Sequence, residues 1–102
     1  MTTDYRLLLE LERLIHEPAR LVIMAILYTV ESADFVYLMH ETGLTQGNLS
    51  SHLAKLEEAG YIRLEKTFNG KFPRTLCQQT EVGRLAFEAY RAHLRLLFEE
   101  SS

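Results

Sequence analysis

The apolar period of this chain changes at Gly60, and that change restricts its folds more than any other feature. Before it, Leu49, Leu53 and Leu56 recur at i, i+4 and i+7, one buried stripe of a helix. After it, Tyr61, Arg63, Glu65 and Thr67 alternate with Ile62, Leu64 and Lys66, the two-residue period of a strand. Phe68-Asn69-Gly70-Lys71-Phe72 then carries the Asn-Gly pair that favours a tight hairpin, with Pro73 to Gln79 as the return strand. A helix is therefore followed at once by a two-stranded ribbon.

The flanking segments read as helices. Asp4 is a suitable N-cap for a helix to about His16, with Leu7, Leu8, Leu11, Leu14 and Ile15 on one stripe and Leu9 off it. Pro18 suits the first position of a helix to about Val30 that is apolar almost all round, as at the centre of a core. Asp34 caps a short helix, Phe35 to Thr42, which Gly43 stops. Thr45 caps the next, Gln46 to Ala59, stopped by Gly60, and Thr80 caps the last, Glu81 to about Glu99. The expected fold class is mainly α with a small β-hairpin, one domain over residues 1–102.

Composition excludes several alternatives. A chain of 102 residues that is 47% hydrophobic and 25% charged is neither a disordered tail nor a low-complexity linker. The longest apolar run, Leu21 to Val30, is too short to cross a bilayer, and no membrane partner is expected. Met1-Thr2-Thr3-Asp4 lacks the basic start of a signal peptide, so a cytoplasmic location is expected. The net charge of -3 is unevenly spread. From Thr45 to Leu76, Lys55, Arg63, Lys66, Lys71 and Arg74 face three glutamates, a net of +2, which leaves -5 for the remainder. A locally basic segment on an acidic body suits a small surface for an anionic partner.

That segment has a recognisable layout. Two short helices meet at Glu41-Thr42-Gly43-Leu44-Thr45, the arrangement of a helix-turn-helix whose second helix enters the major groove of DNA. Its exposed face should carry Thr45, Gln46, Asn48, Ser50, Ser51 and Lys55, with Gly47 nearby and no acid before Glu57. The hairpin adds a wing, where Lys66, Asn69, Lys71 and Arg74 would lie along the DNA backbone or minor groove.

Leu49-Ser50-Ser51-His52-Leu53-Ala54-Lys55-Leu56-Glu57-Glu58-Ala59-Gly60-Tyr61-Ile62 resembles the recognition helix and following strand of ArsR- and MarR-type regulators. Arg13 to Arg20, Gly70 to Thr75 and Thr80 to Arg84 are similar to the small winged-helix regulator family related to both. The resemblance implies a dimeric DNA-binding transcriptional regulator. Carried over, its recognition positions are Gln46, Asn48, Ser50, Ser51 and Lys55, and its wing positions Lys71 and Arg74. The paired cysteines that ArsR-type metal sensors place near this helix have no counterpart here. No cofactor or metal is expected, and the sequence names no small-molecule effector.

The expected function is a sequence-specific repressor on a pseudo-palindromic site of double-stranded DNA. The rival, favoured by net acidity, is a winged-helix protein-interaction module that does not bind DNA. A homodimer follows from the last helix. Its apolar residues spread over about 240° of the wheel, more than one side of a small domain can cover. The expected dimer surface joins the terminal helices, about 4–16 and 81–99, through Leu9, Tyr90, Leu94, Leu97 and Phe98. His52, beside the buried stripe, reads as a packing residue, and His16, His40 and His93 are scattered. Cys77 reads as a small buried residue in a strand, with a redox role left open. Neither a phosphate-cradling glycine loop nor a nucleophile motif is present, so no enzyme is expected.

Overall fold

The computed structural model describes residues 12–101. In order these form α1 (Pro18–Tyr28), β1 (Ala33–Asp34), α2 (Phe35–Thr42), α3 (Gln46–Glu58), β2 (Ile62–Asn69), β3 (Phe72–Gln79) and α4 (Glu81–Ser101). The helix expected over about 4–16, and Leu9 with it, lies mostly outside the described residues. Its expected end is not helical: residues 12–17 are turns, with the Ile15 and His16 amides both donating to the Glu12 carbonyl. Pro18 explains why. A residue before proline is pushed out of the helical region, and Glu17 is extended at φ -148°. Its carboxylate instead caps α1 by accepting from the Arg20 amide at 2.8 Å.

Caps set the other boundaries. The Asp34 side chain accepts from the Val36 amide and that of Thr45 from the Asn48 amide, opening α2 and α3 where the sequence places them. Gly43 closes α2 with a left-handed φ of 70°. At the end of α3, Gly60 donates to Glu57 and Tyr61 to Leu56, the paired bonds of a Schellman cap. Thr80 then fixes the start of α4. Its hydroxyl donates to the Gly60 carbonyl at 2.6 Å and accepts from the Gly83 amide at 3.0 Å.

The sheet has three antiparallel strands in the order β1-β3-β2, one more than the sequence reading. Ala33 pairs with Cys77 and Asp34 with Leu76. Asn69 pairs with Phe72, so the hairpin loop is Gly70-Lys71, one residue later than an Asn69-Gly70 turn. The register, from Ile62↔Gln79 outward, places Ile62, Leu64 and Cys77 on the core face and so decides the turn.

The core joins Ile15, Ile23, Met24, Leu27, Leu38, Leu49, Leu53, Leu56, Ile62, Cys77, Phe87 and Tyr90. Helix α1 sits at its centre and touches β3 and all three other helices. It ends at Tyr28, two residues before the expected Val30, where the Thr29 hydroxyl donates to the Ile26 carbonyl. It is not buried all round: Val22 and Ala25 face solvent.

Candidate nucleic-acid interface

Helix α3 divides cleanly between two environments. Leu49, Leu53 and Leu56 are buried, whereas Thr45, Gln46, Gly47, Asn48, Ser50, Ser51 and Lys55 are all exposed. The caps at Gly43 and Thr45 set the α2–α3 corner, and the leucine stripe holds α3 down. The Thr42 hydroxyl stiffens that corner, donating to the Leu38 carbonyl and accepting from the Leu44 amide. The free face offers amide and hydroxyl groups that both donate and accept, ahead of a single cation. Such groups can bond the mixed donor and acceptor edges of bases or the oxygens of phosphates.

His52 lies beside this face without joining it. Its Nδ1 is 3.1 Å from Arg20 Nη1 and 3.7 Å from Glu17 Oε2, so it ties α3 to the start of α1 as a packing residue.

The wing residues do not share one surface. Cross-strand pairs point the same way, so the register puts Lys66 with Phe68 on the continuation of the core face. Asn69, Phe72 and Arg74 stand on the opposite face, and Lys71 is at the tip. All four proposed contact residues, Lys66, Asn69, Lys71 and Arg74, are exposed. Arg74 is nonetheless engaged. Its Nε donates to Asp34 Oδ2 at 2.7 Å, and the guanidinium holds that carboxyl below the usual carboxylate range. Asp34 thus caps α2 and clasps the wing at once. The sequence offered a signal for this in Asp34 itself, but β1, which brings it alongside β3, is only two residues long.

Cys77 is fully buried between Ala33 and Leu64, and burial pushes its thiol up to about 11. At neutral pH it is a protonated packing residue and a poor redox sensor. Among the described residues, no three His, Cys, Asp or Glu side chains are grouped to hold a metal ion. None of the described helices is long and apolar enough to cross a membrane.

The dimer residues on α4 also fall differently from expectation. Tyr90 is 6% exposed inside the chain's own core, sharing a 2.6 Å hydrogen bond with His16 Nδ1. Leu94 and Leu97 are half-buried, and Phe98 is exposed. The helix is turned because Gly83 lies directly on the Tyr61 backbone, where an added Cβ would overlap the carbonyl oxygen. Gly83, Phe87 and Tyr90 therefore face inward. Val82, Leu85, Ala89, Ala92 and Leu96 form a second stripe that faces solvent.

Residues 19–98 match the family model described as the winged helix DNA-binding domain. The chain belongs to that family. This winged helix is 37% identical over 78 residues to an uncharacterised protein of Methanocaldococcus jannaschii, covering 76% of the chain and 85% of that protein. Among solved structures, it is similar to a transcriptional regulator homologue from Pyrococcus horikoshii. The TM-score is 0.89 at 26% identity, covering 96% of each chain. A structure from Enterococcus faecalis assigned to the MarR family gives a TM-score of 0.73 at 25% identity, over 99% of this winged helix and 94% of that chain. Both neighbours are described in terms of transcriptional regulation.

Proposed function

We propose that the chain is a cytoplasmic homodimer that binds double-stranded DNA at a pseudo-palindromic site and represses transcription by occupying it. One observation carries the reading. The solvent face of α3, from Thr45 to Lys55, is polar apart from Gly47 and Ala54 and is free of acid, while the opposite face anchors the helix in the core. Read this way, Gln46 and Asn48 at the helix N-terminus reach base edges, and Ser50, Ser51 and Lys55 hold phosphates. Lys66, Lys71 and Arg74 add affinity through the backbone, Arg74 by exchanging Asp34 for a phosphate.

The dimer is supported by the second stripe of α4. Val82, Leu85 and Leu96 are about half exposed on a helix whose other face is already committed to the core. An isologous two-fold pairing through this stripe would cover it and set two α3 helices about one DNA turn, ~34 Å, apart. Phe98 lies across the helix from this stripe, so this pairing leaves it uncovered.

Selection of bound fragments from random duplex DNA, followed by titration at several salt concentrations, tests the reading. The expected result is an enriched two-fold motif whose affinity falls steeply as salt rises. A protein-interaction module would enrich no motif. For the dimer, the Leu85→Glu, Leu96→Glu double variant should sediment as a monomer where the unmodified chain sediments as a dimer.

A further inference from the structure

The two most exposed large apolar side chains among the described residues are Phe72 at 75% and Phe68 at 70%, and both belong to the wing tip. They flank the Gly70-Lys71 loop. Phe68 pairs with Pro73 and Phe72 with Asn69, so the two rings stand on opposite faces of the ribbon. Phenylalanines this exposed at a hairpin tip add little to the fold, because the ribbon's buried residues, Ile62 and Cys77, lie toward its base.

The charges around them point to one kind of partner. Strands β2 and β3 and their loop carry Arg63, Lys66, Lys71 and Arg74 against Glu65, with Asp34 of β1 pairing Arg74 and leaving Lys66 and Lys71 nearest the tip. An apolar tip inside a cationic frame suits a polyanion with an apolar interior, which is a nucleic-acid groove between its phosphate rows. A lipid surface would meet a single plane of apolar groups, whereas these rings face away from each other. The minor groove of B-form DNA is about 6 Å wide, and a ribbon with a ring on each face is thicker than that. Such a tip cannot enter without opening the groove.

We infer that Phe68 and Phe72 form an apolar wedge that enters the minor groove beside the site held by α3, spreads it and bends the duplex. The inference rests on the DNA reading given above. Lys71 at the tip follows the backbone. The rings lie against the deoxyribose walls or between partly unstacked base steps, as apolar wedges do when they kink DNA by about 20–90° toward the major groove. The wing then contributes shape-dependent selectivity, because flexible pyrimidine–purine steps open most readily.

Bending is read by end-to-end energy transfer on a labelled duplex carrying the selected site, with the 102-residue chain. The unmodified chain should shorten the end-to-end distance. The Phe68→Ser, Phe72→Ser variant should still bind, with the same salt slope because every cation is retained, and the bend should be lost. Circular dichroism checks that the variant keeps its fold. If the unmodified chain binds and leaves the duplex straight, or if the variant bends it equally, the wedge is wrong and the DNA reading stands. If the unmodified chain binds no duplex at all, the DNA reading fails and takes the wedge with it. If the substitutions instead lower the oligomeric state in sedimentation, the rings are a protein contact and the inference is overturned.

Discussion

The base and the tip of the hairpin are made from the same two strands and serve opposite purposes. At the base, Ile62 and Cys77 are buried, and the Gln79 side-chain amide donates to the Met24 carbonyl at 3.0 Å. At the tip, every residue from Phe68 to Pro73 is exposed. The ladder of backbone bonds runs unbroken from one end to the other. On the proposed DNA reading, stability and contact-making are thus separated along one element, by distance from the core rather than by a domain boundary. Substitutions at the base should unfold the chain without touching its contacts. Substitutions at the tip should alter contacts without loosening the fold.

The sharpest way to break this division lies just behind the base. Gly83→Ala forces a methyl group into the Tyr61 carbonyl, a backbone atom that cannot swing aside. The expected loss is about 3 kcal/mol, read by chemical denaturation, because overpacking at an immovable contact is among the larger single-residue effects. Melting at the native midpoint would mean that α4 can shift off the corner. On the contact side, Gln46→Ala and Asn48→Ala should each reduce discrimination between specific and random DNA by about 1–3 kcal/mol. Their denaturation curves should overlay that of the parent, since both side chains are solvent-facing. Unchanged discrimination in both variants would remove α3 as the reader.

Cys77→Ser tests the base again, more gently. A hydroxyl placed where the thiol is fully buried, between Ala33 and Leu64, costs about 1.5 kcal/mol if it finds no partner. DNA affinity per folded molecule should not change.

The smallest effect is expected where base and tip meet. Arg74→Ala removes the Asp34 ion pair, whose members are 42% and 24% exposed, so screening keeps the stability loss below about 1 kcal/mol. Arg74 lowers the Asp34 pKa below its ordinary 3.8. The pair's contribution is therefore complete above about pH 4 and is lost as pH falls through the lower folded value. The variant and parent should differ at neutral pH and converge in acid. In DNA binding, the same change should weaken all sequences alike and lower the salt slope by about one. A changed sequence preference with an unchanged slope would make Arg74 a base reader.

Much of this was legible in the residues themselves. Asp34, Gly43, Thr45, Gly60 and Thr80 act locally, through a side-chain oxygen or a free φ, so α2 and α3 lie within one residue of their sequence-based bounds. The leucine spacing of α3 also identified its solvent face correctly. What the sequence hid depends on partners far along the chain. β1 has no pattern of its own and exists because Cys77 and Leu76 are there to pair with it. The Asn-Gly pair suggested one turn, but the buried register of Ile62, Leu64 and Cys77 imposed the next. On α4 the apolar arc was too wide for periodicity to choose a face; the contact between Gly83 and Tyr61 chose it. The same strand alternation that located the hairpin also separates Lys66 from Arg74, although a grouping by charge alone places them together.

Asp34 has a consequence for how the chain can adapt. One carboxylate fastens the first helix of the helix-turn-helix, through the Val36 amide, and the wing, through Arg74. The gap between the reading helix and the wing is in that sense gauged, like the jaws of a calliper locked by one screw. Asp34→Asn would keep a cap oxygen and release the wing, whereas Asp34→Ala would release both. The lock acts before Arg74 leaves Asp34 for a phosphate, so a chain with it undone must order its wing anew on every duplex and should lose affinity for all sequences alike rather than selectivity.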